Sequence, residues 1–201
     1  MNLPHQGVEQ AFLLSRLTGR SLEPRDVDRL TLFLASLISI LLGAIAIDRS
    51  IVDEERRQLQ RTLDRFVPRN INIHRLTQKL INGIYQQQVY LNPDEFLTLA
   101  KPLPPSERML LLSLGCEISA ADGAMDFREK LYLQSIAQRL DLATETVELL
   151  ETAFSKQPIE DIETVQVLQD LLDPQHFEND TFARAAKRLL KVFSEDEETE
   201  G

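Results

Sequence analysis

Apolar residues recur at helical spacing along the N-terminal half of the chain, and no segment shows the strand-like alternation that lies between hairpin turns. The pattern predicts a short amphipathic helix, a long apolar helix and three further helices. They are expected at Val8–Leu17, from about Arg25 to Ile47, along the face formed by Leu59, Leu63 and Phe66, at Ile73–Ile84 and at Pro93–Ala100. Pro68 ends the third of them, because the residue before a proline avoids helical geometry.

The segment from Lys101 to Pro105 contains three prolines and is the best internal boundary, since prolines interrupt a helix interior. After it the helical pattern starts again. Helices are expected at Met109–Ala121, along a face of Phe127, Leu131, Ile136 and Leu140, along a face of Val147, Leu150 and Phe154, at Ile162–Leu172 and at Phe182–Phe193. The sequence therefore predicts an all-α fold.

The second half repeats the first at a shift of 74 positions, since 122 − 48 = 74. This shift places Asp48 on Asp122 and Glu55 on Glu129. It predicts a helical bundle of two pseudo-repeated halves, about 25–100 and 104–193, that share one core because each half needs its apolar face covered. Residues 1–24 form an N-terminal extension with a short helix, and 194–201 form an acidic tail that is expected to be disordered.

Charge and cysteine content narrow the classes of function. The net charge is −10, of which five acids in the tail supply half, so the folded part is only mildly acidic and nucleic-acid binding is not expected. The single cysteine, Cys116, excludes an internal disulfide and is expected to be a small core residue in a reducing compartment. The N-terminus lacks the pattern of a signal peptide, which favours a cytoplasmic protein.

The stretch Leu30–Ile47 has no charged residue and approaches the length that spans a bilayer. Polar or small residues, among them Thr31, Ser36 and Ser39, dilute its apolar character. We expect a buried central helix, and a transmembrane helix is the alternative.

Two acidic turns are candidate sites. In the second turn, Asp126 is expected to cap a helix with Glu129 reaching back as in a capping box, and Gly123 is suited to closing the helix before it. The alternative is a site for a partner or for a divalent cation, calcium or magnesium, which takes oxygen ligands. The candidate ligands are Asp48, Asp53, Glu55, Asp122, Asp126 and Glu129.

A basic stripe follows the first acidic turn. Arg57, Arg61 and Arg65 recur every four residues and so line one helical face, and Arg69 extends the stripe beyond Pro68. The stripe is a solvated face, a docking patch for an acidic protein or an anionic membrane surface, or, as the weakest alternative, a contact for a phosphate-rich polymer. It is also compatible with a homodimer, in which the acidic turn of one copy meets the stripe of the other.

Motifs of the common enzyme classes are absent from the sequence. It contains no GxxxxGK(S/T) loop and no nucleophile elbow, and its three histidines, His5, His74 and His176, are far apart and form no metal-binding motif. The expected function is therefore non-catalytic, with a metal-dependent hydrolase at the acidic turns as a weaker alternative.

The second turn carries a family resemblance. Ala121, Asp122, Gly123, Met125 and Glu129 form the pattern Ala-Asp-Gly-x-(Ile/Met)-x-x-x-Glu, which resembles the tellurite-resistance TerB-like family. In the first half, Asp48, Ile51 and Glu55 keep the pattern, but Arg49 replaces the glycine, which weakens the case for a symmetric pair of sites.

The resemblance covers roughly Leu30 to Phe193. It implies an all-helical bundle of pseudo-repeated halves, and a cytoplasmic, non-catalytic protein connected with stress response at the membrane, whose acidic residues bind metal or a partner. We accordingly expect an interaction or scaffold protein that binds a protein partner and responds to a divalent cation. The alternative is a peripheral membrane protein that docks on anionic lipid through the basic stripe.

Overall fold

The computed structural model describes residues 7–47, 59, 63, 71–120, 125–155, 157–159 and 161–193. The described residues include nine α-helices with defined bounds and contain no strand, which confirms the all-α fold. The helices are α1 (Val8–Thr18), α2 (Arg29–Ala46), α3 (Ile71–Gln87), α4 (Pro93–Ala100), α5 (Pro105–Ser119), α6 (Phe127–Arg139), α7 (Glu145–Phe154), α8 (Ile162–Leu171) and α9 (Asp180–Leu190).

The start of α2 differs from the prediction. The helix begins at Arg29 rather than near Arg25, because Pro24–Asp26 form a separate 3-10 turn. Asp28 caps α2: its Oδ1 accepts a hydrogen bond of 2.7 Å from the backbone N–H of Thr31. A carboxylate at this position satisfies a backbone donor that has no partner inside the helix.

The start of α5 also differs from the prediction, which placed it at Met109. The helix begins at Pro105, and Pro104 is its N-cap residue. A proline is tolerated in the first helical position because the N–H that it lacks would have no partner there. The prolines that separate the two halves therefore also start α5.

The chain divides into two compact units, Met1–Leu103 and Pro104–Gly201, so the division falls within the proline-rich segment. Each unit is built around one long apolar helix, α2 in the first and α5 in the second. The internal repeat and the shared core stay predictions.

In the first unit α2 is central. Every residue from Thr31 to Ala44 is buried, and the helix packs against α3 and α4. One helix in the described part of the chain, α2, is apolar and long enough to cross a membrane, with a mean hydropathy of 2.1, and 78% of it is buried by the protein itself. This burial is what we expected of a central core helix. Leu59 and Leu63 are helical and buried as well.

The second unit surrounds α5, which packs against α6, α7 and α9. Cys116, near the C-terminal end of α5, is fully buried, which confirms it as a core residue. Burial raises the pKa of its thiol, since the charged thiolate is poorly solvated there, and the nearby Glu151 carboxylate adds to this effect. The thiol is therefore unreactive.

The buried face of α6 corrects the prediction. Leu133, Ile136, Ala137 and Leu140 are buried, whereas Phe127 and Leu131 are 71% and 49% exposed. At 100° per residue, a position nine residues before Ile136 lies on the opposite side of the helix. Phe127 is nine residues before Ile136, so the two side chains cannot share one face. The true core face follows the spacing i, i+3, i+4, i+7 from Leu133 onwards.

Candidate functional site

Two of the predicted site residues, Asp126 and Glu129, lie among the described residues, at the start of α6. The other candidate cation ligands and the whole basic stripe lie outside the described residues. These are Asp48, Asp53, Glu55 and Asp122, together with Arg57, Arg61, Arg65 and Arg69. The described part of the candidate site is therefore the start of α6 and the residues that surround this helix.

Asp126 and Glu129 form the capping box that the sequence predicts. Asp126 Oδ1 accepts a hydrogen bond of 2.7 Å from the backbone N–H of Arg128, and Glu129 Oε2 accepts one of 3.0 Å from the backbone N–H of Asp126. Asp126 is the N-cap residue and Glu129 lies in the first turn, and negative charge at both positions suits the helix dipole. Helix capping therefore explains the positions and hydrogen bonds of both carboxylates without a bound ligand.

A cation site needs more ligands than these two carboxylates provide. Calcium takes six to eight oxygen ligands. Among the described residues, no group of three or more His, Cys, Asp or Glu side chains is close enough to hold a metal ion. Cation binding at this turn therefore stays a prediction, and it depends on Asp122 or on other residues outside the described ranges.

Ion pairs fix one side of α6 to α7. Lys130 Nζ lies 2.9 Å from Glu151 Oε2 and 3.7 Å from Glu148 Oε1. The hydrogen bond to Glu151 is the main cause of the raised pKa of Lys130, and burial opposes it only in part. Gln134 adds a hydrogen bond of 3.4 Å to Glu148.

The C-terminal end of α6 is fixed by Arg108 of α5. Arg108 Nη1 donates a hydrogen bond of 2.8 Å to the backbone carbonyl of Leu140 and one of 3.0 Å to Asp141 Oδ2. The carbonyls at a helix end lack partners within the helix, so an arginine there satisfies one of them. Helix α6 is thus held by its apolar face, by α7 and by its C-terminal end.

The comparisons with known proteins identify the family. The family model described as Tellurite resistance protein TerB matches residues 34–152, more than half of the chain. The chain belongs to the TerB family. A search of curated proteins and a search of solved structures each found no match.

The TerB match runs from within α2 to within α7 and so includes α6 and the turn before it. It confirms the resemblance that Asp122, Gly123 and Glu129 suggested. The protein is thereby placed in a tellurite-resistance-related family.

Two apolar side chains on α6 that the sequence pattern predicts in the core, Phe127 and Leu131, are exposed and are further candidate site residues. Phe127 and Leu131 are four residues apart and lie on one face of the helix, directly after the TerB turn. The charged residues Asp126 and Arg128 flank Phe127, and both are exposed. The sequence signal that identifies this surface is the i, i+3, i+4, i+7 spacing of the buried residues from Leu133 to Leu140. This spacing places Phe127 on the opposite side of α6.

Two substitutions at Asp126 separate capping from cation binding. We expect Asp126→Ala to lower the free energy of unfolding by about 1 kcal/mol, because the first turn of α6 loses its cap. Asp126→Asn should change stability little, since asparagine caps a helix as well as aspartate does. Urea denaturation of both variants measures these effects.

The same pair of variants also tests the predicted cation. Calcium titration by calorimetry, with magnesium as the control ion, should show binding that both variants lose if Asp126 is a ligand. Equal binding by the wild type and the Asp126→Asn variant would contradict a ligand role for this residue.

Proposed function

We propose that this TerB protein is a non-catalytic, cytoplasmic interaction protein that binds a protein partner through the N-terminal half of α6. The observation that carries the proposal is the exposure of Phe127 and Leu131 on one face of a helix that is held rigidly on its other sides. This surface directly follows the acidic turn of the family pattern.

The chemistry of the surface suits a protein partner. Burying an aromatic side chain against a partner stabilises a complex by about 1.5–3 kcal/mol, and aromatic anchors surrounded by polar groups dominate many interfaces. Phe127 would be the anchor, with Leu131 beside it, and Asp126 and Arg128 would form the polar rim. The ion pairs of Lys130 hold α6 in place before binding, so less conformational entropy is lost on association.

The test compares two double variants by quantitative affinity purification from the native host. Phe127→Ser with Leu131→Ser removes the proposed anchors. Ile162→Ser with Val167→Ser is the matched control, because those two apolar side chains on α8 are 78% and 54% exposed. All four positions are exposed, so stability should change by less than about 0.5 kcal/mol at each.

We expect a defined partner to co-purify with the wild type and the α8 variant, and to be reduced at least tenfold with the α6 variant. Equal recovery by all three proteins would contradict the proposal. A protein that self-associates through α6 would appear instead as a dimer of the wild type by sedimentation and as a monomer of the α6 variant. Docking on lipid through Arg57, Arg61 and Arg65 stays a prediction.

A further inference from the structure

Helix α9 has two chemically distinct faces. Phe182, Ala185, Ala186 and Leu189 are buried in the second unit. Arg184, Lys187, Arg188 and Lys191 are exposed, and their spacing of three and four residues places them along one side of α9 and of the 3-10 turn that follows it. We name these four residues the α9 basic face.

Most of the α9 basic face has no counter-charge in the described part of the chain. Arg188 Nη2 lies 2.7 Å from Glu117 Oε2 of α5, and this ion pair satisfies one of the four bases. Arg184, Lys187 and Lys191 have no acidic side chain within ion-pair distance among the described residues. Three positive charges therefore face solvent within about two turns of helix.

A complementary acidic segment follows the helix directly along the chain. Residues 195–200 contain five acids and no base, and they begin two residues after the 3-10 turn ends at Phe193. An extended segment of eight residues reaches up to about 26–29 Å. Arg184 and Lys191 are separated by about 10 Å along the helix axis. The segment is thus long enough to fold back along the whole basic face.

We propose that the acidic segment 195–200 binds the α9 basic face of its own chain and masks it from other anions. The short connection gives the segment a millimolar effective concentration at this face, which favours it over an anion in solution. Because both surfaces are exposed, the contact is electrostatic and weakens with salt, since the Debye length falls from about 10 Å at 0.1 M to about 3 Å at 1 M.

A spin label at position 201 tests the contact directly. Gly201→Cys introduces a thiol that a nitroxide labels selectively, because Cys116 is fully buried and burial raises the pKa of its thiol. We expect the label to attenuate the amide NMR signals of residues 184–191 at least twofold at low salt, and the signals to recover in 0.5 M NaCl. Signals from α9 that are no weaker than those of the other helices would overturn the proposal.

Two triple variants of the labelled protein show whether the attenuation requires the basic face. Neutralising Arg184, Lys187 and Lys191 to glutamine should abolish the effect. The matched control neutralises three exposed bases elsewhere, and it should leave the attenuation intact: Arg20, Lys101 and Arg139. Attenuation that persists without the basic face would also overturn the proposal.

Masking is measured with vesicles that contain phosphatidylserine. Changing the five acids of 195–200 to their amides should increase vesicle binding at least tenfold, and adding the three α9 substitutions should reverse the gain. A control with five exposed acids neutralised elsewhere corrects for net charge: Glu9, Asp94, Glu145, Glu163 and Asp170.

The comparison with the wild type also tests lipid as the occupant of this face. If the wild type binds these vesicles as tightly as the tail variant does, the α9 basic face is an open lipid-docking surface and the masking proposal is wrong. Equal gains from the tail variant and its charge control would overturn the proposal as well.

Discussion

Truncating Phe33 to alanine is expected to lower the free energy of unfolding by about 3–5 kcal/mol. Phe33 is fully buried in the second turn of α2, and it is among the largest side chains that the core encloses completely. Its removal loses the transfer free energy of the ring and leaves a cavity that the tightly packed neighbours cannot fill. Thermal or urea denaturation of the purified protein measures the change.

The control for this substitution is Phe12→Ala, in the same unit. Phe12 is 71% exposed on α1, so its truncation should change stability by less than about 0.5 kcal/mol. If truncating Phe33 lowers the free energy of unfolding as little as truncating Phe12 does, the Phe33 ring is not enclosed by the protein. That result would then reopen the alternative of a lipid-facing α2.

Replacing Gly83 with alanine has the second large expected effect. A methyl group at this position of α3 would overlap the carbonyl oxygen of Leu17 in α1 and come within 2.8 Å of its carbonyl carbon and Cα. Backbone atoms cannot move aside as a flexible side chain can, so α1 and α3 would have to separate. We expect a loss of about 1–3 kcal/mol, as for other overpacked sites.

The crossing of α1 and α3 also depends on Lys79, one turn before Gly83. Its Nζ donates a hydrogen bond of 3.2 Å to the backbone carbonyl of Thr18, at the C-terminal end of α1. Separating the helices would break this contact as well. The control is Asn82→Ala, an exposed position in the same helix, which should be neutral or slightly stabilising because alanine favours helix. Gly83→Ala with wild-type stability would contradict the close crossing.

The elements that the sequence predicts well are those that depend on local chemistry. The uncharged run at Leu30–Ile47 predicts α2, and the spacing of Asp126 and Glu129 predicts the capping box. The residues of the second acidic turn predict membership of the TerB family. Each of these features involves residues within one or two helical turns. A periodic pattern or a cap carries that information directly.

The features that the sequence does not predict depend on contacts between elements. Nothing near Gly83 indicates that the Leu17 carbonyl lies against it, because that contact is set by the crossing of two helices far apart in sequence. The apolar character of Phe127 predicts a core position, but its angular position, opposite Ile136, places it on the exposed side of α6. The α9 basic face could not be predicted, because which side of α9 faces solvent depends on how the helix packs in the second unit.

The most direct test of the proposed function is photo-crosslinking in the native host from position 131. A benzophenone amino acid in place of Leu131 lies beside Phe127 on the exposed face of α6, and the same residue in place of Ile162 on α8 is the control. We predict a single adduct from position 131, absent from position 162 and lost when Phe127 is changed to serine. No adduct from position 131, or the same adducts from both positions, would contradict the assignment of α6 as the partner-binding surface.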